Sequence, residues 1–304
     1  VFDVVSVGHL CIDSILLPNR RAPFTVLGGS ATYVSLAARR LNAETAVISK
    51  VGKDFPTAYF WLLKDEDVDL SWVIKVNDAC TTSFELRYSE DLSERVLQLR
   101  NKAPNITVSD LPRSLKAKSI HIAPIAGEIT FDVAEKLRSC TEVLSLDPQG
   151  LVRNFDERGN VTHGSLKERR ILELIDVYKS SSAEIEAVTE LSDLKLAMKA
   201  IHDYGVGTVI VTLGTRGALL SAQEVLYQIP AYKPQKIVDP TGAGDAFIGG
   251  FLAELVKGKD CLWCACVGSA VASIVVEAIG PAFFGDKRQI YERAKTLYGK
   301  EIKE

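Results

Sequence analysis

The sequence predicts an α/β protein with a doubly wound, mostly parallel sheet flanked by helices and a small β-sheet lid. Three observations point there. Short β-branched runs alternate with longer segments of helical period. One stretch, residues 72–100, breaks that alternation with successive strands. Finally, 304 residues at 47% apolar composition can bury a large core, about 75% of the unfolded surface at this size.

Residues 4–7, 45–51, 119–123, 143–147, 208–213 and 217–221 read as strands because each is a short β-branched or apolar run. Residues 31–41, 56–65, 131–138, 166–175, 194–204, 245–256 and 262–277 read as helices, with apolar positions three and four apart. Thr82-Ser83-Phe84-Glu85-Leu86-Arg87-Tyr88 alternates at period two, so 72–100 is expected to be an antiparallel insertion. Such an excursion from a compact domain suits a cover over a cleft. A single domain over 1–304 is expected, its lid contributed mainly by 72–100, with 10–26 as a further contributor.

Charge and composition exclude several classes. Lys plus Arg is 36 against 39 Asp plus Glu, a net −3 with pI ≈ 5.9, which does not suit a protein that binds nucleic acid by neutralising phosphates. The longest uncharged run, 261–276, is shorter than the ~20 residues of a membrane span and is expected to be a buried helix. Six cysteines (Cys11, Cys80, Cys140, Cys261, Cys264, Cys266) are too sparse for a disulfide framework, so a cytoplasmic location is expected. Val1-Phe2-Asp3-Val4-Val5 has neither the basic flank nor the apolar stretch of a secretory signal. Cys261-x-x-Cys264-x-Cys266 lacks the second ligand cluster of a structural zinc site.

The most informative segment is Val238-Asp239-Pro240-Thr241-Gly242-Ala243-Gly244-Asp245-Ala246-Phe247. Pro240 disfavours helix at Asp239, the glycines permit a left-handed turn, and Phe247, Ile248, Phe251, Leu252 and Leu255 then recur helically. A helix should begin at or next to Asp245, with the amides of Ala243, Gly244 and Asp245 converging where the macrodipole favours an anion. Asp is an ordinary N-cap, which is the bland reading. In the functional reading Asp245 takes a proton from an acceptor hydroxyl while the amides hold a migrating phosphoryl group.

Asp239-Pro240-Thr241-Gly242-Ala243-Gly244-Asp245 resembles the signature of the ribokinase-like (PfkB) carbohydrate kinase family. Gly28-Gly29-Ser30-Ala31, then Val51-Gly52-Lys53-Asp54, resemble its N-terminal signature, so the likeness spans nearly the whole chain. The resemblance implies a doubly wound sheet with a β lid, ATP as co-substrate, Mg²⁺, and a monovalent cation as a further candidate. It implies Asp245 as catalytic base and Gly242, Ala243 and Gly244 as the anion hole. Asp13, Gly28 and Gly29 would bind the acceptor; Ser181, Thr212, Gly214 and Thr241 would meet the nucleotide. Glu184 would organise Mg²⁺ through water.

Two departures stand out. The family's Asn-x-x-Glu reads Ser181-Ser182-Ala183-Glu184, where a serine hydroxyl replaces the amide. Tyr33 stands where many sugar and nucleoside kinases of the family have Asn. Residues 81–88 together with Asp147-Pro148-Gln149-Gly150-Leu151-Val152-Arg153 are instead similar to archaeal myo-inositol kinases, which implies Arg87, Gln149 and Arg153 as further acceptor contacts. The expected activity is ATP-dependent phosphorylation of a small neutral polyol, a cyclitol or a sugar. A nucleoside acceptor is the alternative within the family, and a non-catalytic binding protein of the same fold the alternative outside it. A dinucleotide enzyme is disfavoured because Gly8-His9-Leu10-Cys11 lacks the Gly-x-Gly-x-x-Gly turn. Neither nucleic acid nor membrane is an expected partner, and a homodimer through the lid is.

Overall fold

The structure, a computed structural model, describes residues 1–18, 20–92, 95–300 and 302–303. The first half contains β1 (Phe2–Val7), β2 (Cys11–Leu16), β3 (Phe24–Gly28), α1 (Ser30–Arg40), β4 (Thr45–Gly52), α2 (Thr57–Asp65), β5 (Val73–Val76), β6 (Ser83–Tyr88), β7 (Arg95–Asn101), β8 (Ala117–Ile122), α3 (Phe131–Arg138) and β9 (Thr141–Leu146). The second half adds β10 (Arg153–Phe155), β11 (Val161–His163), β12 (Val177–Ser181), α4 (Ser182–Thr189), α5 (Leu194–His202), β13 (Thr208–Thr212), β14 (Ala218–Ala222), β15 (Val225–Ile229), α6 (Ala243–Leu255), α7 (Cys261–Val275), α8 (Lys287–Leu297) and β16 (Ile302–Lys303).

A 10-stranded sheet runs β16-β15-β14-β13-β12-β9-β8-β1-β4-β5. Neighbours from β13 through β5 are parallel, and β14 to β16 add an antiparallel edge. Both faces of the parallel part are covered, which is why its strands are nearly continuous in apolar residues. Val34, Ala37, Phe251, Val267 and Ile290 of α1, α6, α7 and α8 fill one side, and Val133, Ile185, Met198 and Ile201 of α3, α4 and α5 the other. The 261–276 run is α7 in that core, and no helix among the described residues is long and apolar enough to cross a membrane. From β1 the chain first builds outward through β4 and β5, then returns to build through β8, β9, β12 and β13. The resulting switch point lies between β1 and β8, where open α/β sheets bind ligands at the strands' carboxyl ends.

The small sheet differs from the expected antiparallel insertion. Its order is β3-β2-β6-β7, two antiparallel hairpins joined by a parallel β2–β6 pair. β5, inside the expected insertion, instead extends the large sheet beside β4, with Ser49 opposite Val73. The reason lies upstream: Val47 N already donates to Asp69 O at 3.0 Å, which lays the chain along β4 before β5 begins. Asn19, Ser93 and Glu94, within the expected lid segments, lie outside the described residues.

The helix expected over 166–175 is also corrected. Only Arg169–Leu174 coils, as a 3₁₀ helix. The chain must re-enter the sheet at Val177, and the step of three from Leu172 to Ile175, both buried, suits three residues per turn. At α6 the helix begins at Ala243, two residues before Asp245.

Candidate active site

Inner residues of the small sheet, among them Cys11, Ile15, Phe84 and Leu86, pack with Ile125 and Ala126 just beyond β8. This docking sets the small sheet beside the carboxyl ends of the central strands and the start of α6. Gly242, the N-cap of α6, sits at φ 75°, and a Cβ there would lie 2.3 Å from the Tyr33 ring. Only glycine meets both conditions. Asp245 is consequently the third residue of the helix and no cap; its Oδ1 accepts from Gln149 Nε2 at 3.2 Å.

The amide of Ala243 donates to Pro240 O at 3.3 Å. Among the described residues, the amides of Gly242, Gly244 and Asp245 donate to no acceptor of the chain. Of the expected amides the turn consumes Ala243, while Gly244 and Asp245, expected from the helix start, and Gly242, implied by the resemblance, stay unpaired. Unpaired amides at the N-terminus of this 13-residue helix lie where the macrodipole favours negative charge.

Gln149 is the junction beside it. Its Nε2 donates to Ser30 Oγ at 2.6 Å as well as to Asp245, while its Oε1 accepts from Arg153 Nη2 at 2.7 Å. Arg153 also donates to Ile125 O at 2.8 Å, so the arginine is oriented by the wall on which the small sheet rests. The structure thus brings together Asp245, Gln149 and Arg153, three of the residues singled out from sequence.

Asp13 faces them from β2. It is 5% exposed, and burial pushes its carboxyl up to about 6, moderated by the Cys11 thiol, which donates to Oδ1 at 3.0 Å, and by Arg95 and Arg153. Gly28 and Gly29 serve the chain's own packing. A Cβ on Gly28 would lie 2.0 Å from Asp13 Oδ2, and one on Gly29, at φ 93°, would lie 2.4 Å from His9 O. Packing within the chain is enough to require glycine at both positions, and the Asp13 carboxylate occupies the space at Gly28.

Arg87 is exposed, since in β6 the buried side chains are Phe84 and Leu86 and the alternation turns Arg87 outward, opposite Val96. The arginine on the inner face is Arg95, the cross-strand partner of Tyr88, whose Nη1 donates to Tyr88 OH at 3.5 Å. Thr241 donates to Asp239 Oδ1 at 2.5 Å and bonds Tyr88 OH at 2.8 Å, so its hydroxyl ties the small sheet to the loop ahead of α6. Ser181 and Glu184 form the capping box of α4. Ser181 N and Oγ both donate to Glu184 Oε2 at 2.7 Å, which commits the serine hydroxyl locally. Thr212 stands at the end of β13, its hydroxyl 3.3 Å from Ser180 O, and Gly214 follows at φ 59° with open space where a Cβ would be.

Sequence reasoning missed Lys179, which interrupts the apolar pattern at the centre of β12. Its Nζ donates to Asp147 Oδ2 at 2.6 Å, and both side chains are buried. Burial alone would lower the ammonium's pKa, but Asp147, Asp245 and Glu184 outweigh it and hold Lys179 above the ordinary lysine range. No three or more His, Cys, Asp or Glu among the described residues are grouped to hold a metal ion. Glu184 has Oε1 outside the capping box, so a divalent ion here would take few carboxylates and complete its shell with water and donor phosphates. Mg²⁺ tolerates that arrangement.

Residues 1–287 match the family described as pfkB family carbohydrate kinase. A cytidine kinase of Thermococcus kodakarensis is 29% identical over 283 residues, covering 92% of this chain and 98% of its own. An inositol 3-kinase of Arabidopsis thaliana is 30% identical over 290 residues, covering 92% of this chain and 76% of its own. Among solved structures, a pyrophosphate-dependent kinase in the ribokinase family, seen as a sulfate complex, superposes with a TM-score of 0.82 at 25% identity, covering 95% of this chain and 99% of that one.

Proposed function

Because the chain belongs to the pfkB family of carbohydrate kinases, and is thus a sugar, nucleoside or inositol kinase, we propose that it transfers the γ-phosphoryl of Mg-ATP to a hydroxyl of a cyclitol such as myo-inositol. One observation carries this reading. The Asp245 carboxylate lies in the same helical turn as the unpaired amides and is held by Gln149 at 3.2 Å, so a proton acceptor and an anion cradle share one short segment.

The acceptor hydroxyl would displace Gln149 as the donor to Asp245 and give up its proton there as the new P–O bond forms and the γ-phosphate leaves ADP. The amides of Gly242, Gly244 and Asp245 hold the phosphoryl oxygens without reorganising. Asp13, when ionised, only accepts hydrogen bonds, which suits the hydroxyls of a polyol; Gln149 both donates and accepts. Glu184 would hold Mg²⁺ through water, and the ion, when bound, supplies charge neutralisation to the donor phosphates. The open space over Gly214, beside Thr212, gives a nucleotide room beyond its phosphates.

A nucleoside acceptor is the second reading, favoured by the cytidine kinase likeness. The test is product release with Mg-ATP across myo-inositol, ribose, fructose, cytidine and adenosine. The proposal expects myo-inositol to give the largest kcat/KM. A nucleoside ahead by about tenfold would replace the cyclitol reading, and no stimulation by any acceptor would contradict the proposed reaction.

A further inference from the structure

The ammonium of Lys179 is held by the Asp147 carboxylate on one side and faces the start of α6 on the other. A Cβ on Gly244 would lie 2.8 Å from Lys179 Nζ, so the amine rests against the first turn of α6, beside amides that also present positive charge. A cation belongs at a helix C-terminus, and at an N-terminus it is opposed by the macrodipole. The side chain is 4% exposed, and among the described residues its ammonium makes one hydrogen bond, to Asp147, out of the three it can donate. Asp147 is held in its turn, accepting from Gln149 N at 3.1 Å through its other oxygen, so the lysine is fixed by the same turn that fixes the Gln149 junction. A buried ammonium with spare donors, pressed against unpaired amides, is a site built for an anion of high charge.

We propose that Lys179 is a catalytic residue that contacts the terminal phosphate of the donor, moving with the phosphoryl group as it crosses toward Asp245. This rests on the kinase reading and extends it. The donor would be gripped by a lysine on β12 as well as by the α6 amides, which offsets the commitment of the Ser181 hydroxyl to the α4 capping box.

Lys179→Met alone leaves Asp147 buried and unpaired, so the informative variant is Lys179→Met with Asp147→Asn, which removes both charges. Three readouts are taken: Tm, kcat with the KM of each substrate, and the affinity for inorganic tripolyphosphate with Mg²⁺ and no acceptor, by calorimetry. The double variant is expected to keep a Tm close to wild type, to lose about 100-fold in kcat and to bind tripolyphosphate at least about tenfold more weakly, with the acceptor KM within about threefold. Lys179→Arg, which keeps the charge, is expected to retain tripolyphosphate binding. Wild-type kcat and tripolyphosphate affinity in a folded double variant would overturn the proposal and leave Lys179 as the structural partner of Asp147. So would a loss confined to the acceptor KM. If the wild-type protein transfers phosphate to no acceptor, the kinase reading fails on that result, while the tripolyphosphate arm still decides the role of Lys179.

Discussion

The turn that opens α6 and the inner face of the small sheet meet through the Thr241–Tyr88 hydrogen bond, yet they are built by different rules. In the turn, Asp239 to Asp245 are contiguous, and Pro240 and Gly242 fix the backbone, so each residue's direction follows from its place in one short string. In the small sheet, direction follows from strand parity and from a parallel pairing of β2 with β6 that joins segments some seventy residues apart. A motif encodes the first. Only tertiary structure sets the second.

If that contrast is right, the largest loss comes from the turn. Asp245→Asn should lower kcat by about 10²- to 10⁴-fold with little change in Tm, read by initial rates of product release and by thermal melting. Gly28→Ala breaks the acceptor side through packing alone, because the added methyl displaces the Asp13 carboxylate. The acceptor KM should rise by about tenfold while the donor KM holds.

The parity argument is sharpened by a pair of arginines. Arg95→Ala should lower kcat/KM by about tenfold, whereas Arg87→Ala, on the outer face, should stay within about twofold. pH supplies a related check. Burial raises Asp13 to about 6, and the ionised form is the one that accepts hydroxyl hydrogen bonds. kcat/KM for the acceptor should therefore fall about tenfold per pH unit below that value and level off above it, and Asp13→Asn should remove that limb. Tyr88→Phe should cost no more than about what Arg95→Ala costs. Loss of its bond to Thr241 is worth about 0.5–1.5 kcal/mol, or about two- to twelvefold in kcat/KM.

The same division explains what was legible beforehand. The parallel sheet could be read because its strands are short β-branched runs between periodic helices, and Asp245, Gln149 and Arg153 could be read because each lies in a recognisable string. β12 could not, since Val177–Ser181 carries Lys179 at its centre and follows an apolar stretch that mimics a longer helix. Ser181 and Glu184 carry two meanings at once. The Ser-x-x-Glu spacing is a capping box on physical grounds and a ligand motif by resemblance, and the structure spends the serine on the cap. Arg87 follows from the likeness of residues 81–88 to archaeal myo-inositol kinases, which carries no strand parity, and a single step of register separates the two faces.

The most direct test is a crystal structure with a non-hydrolysable ATP analogue, Mg²⁺ and myo-inositol bound together. The account predicts the terminal phosphate over the amides of Gly242, Gly244 and Asp245, with one inositol hydroxyl about 3 Å from the Asp245 carboxylate. A terminal phosphate seated away from the start of α6, or Asp245 still bonded to Gln149 with no acceptor hydroxyl in reach, would contradict it.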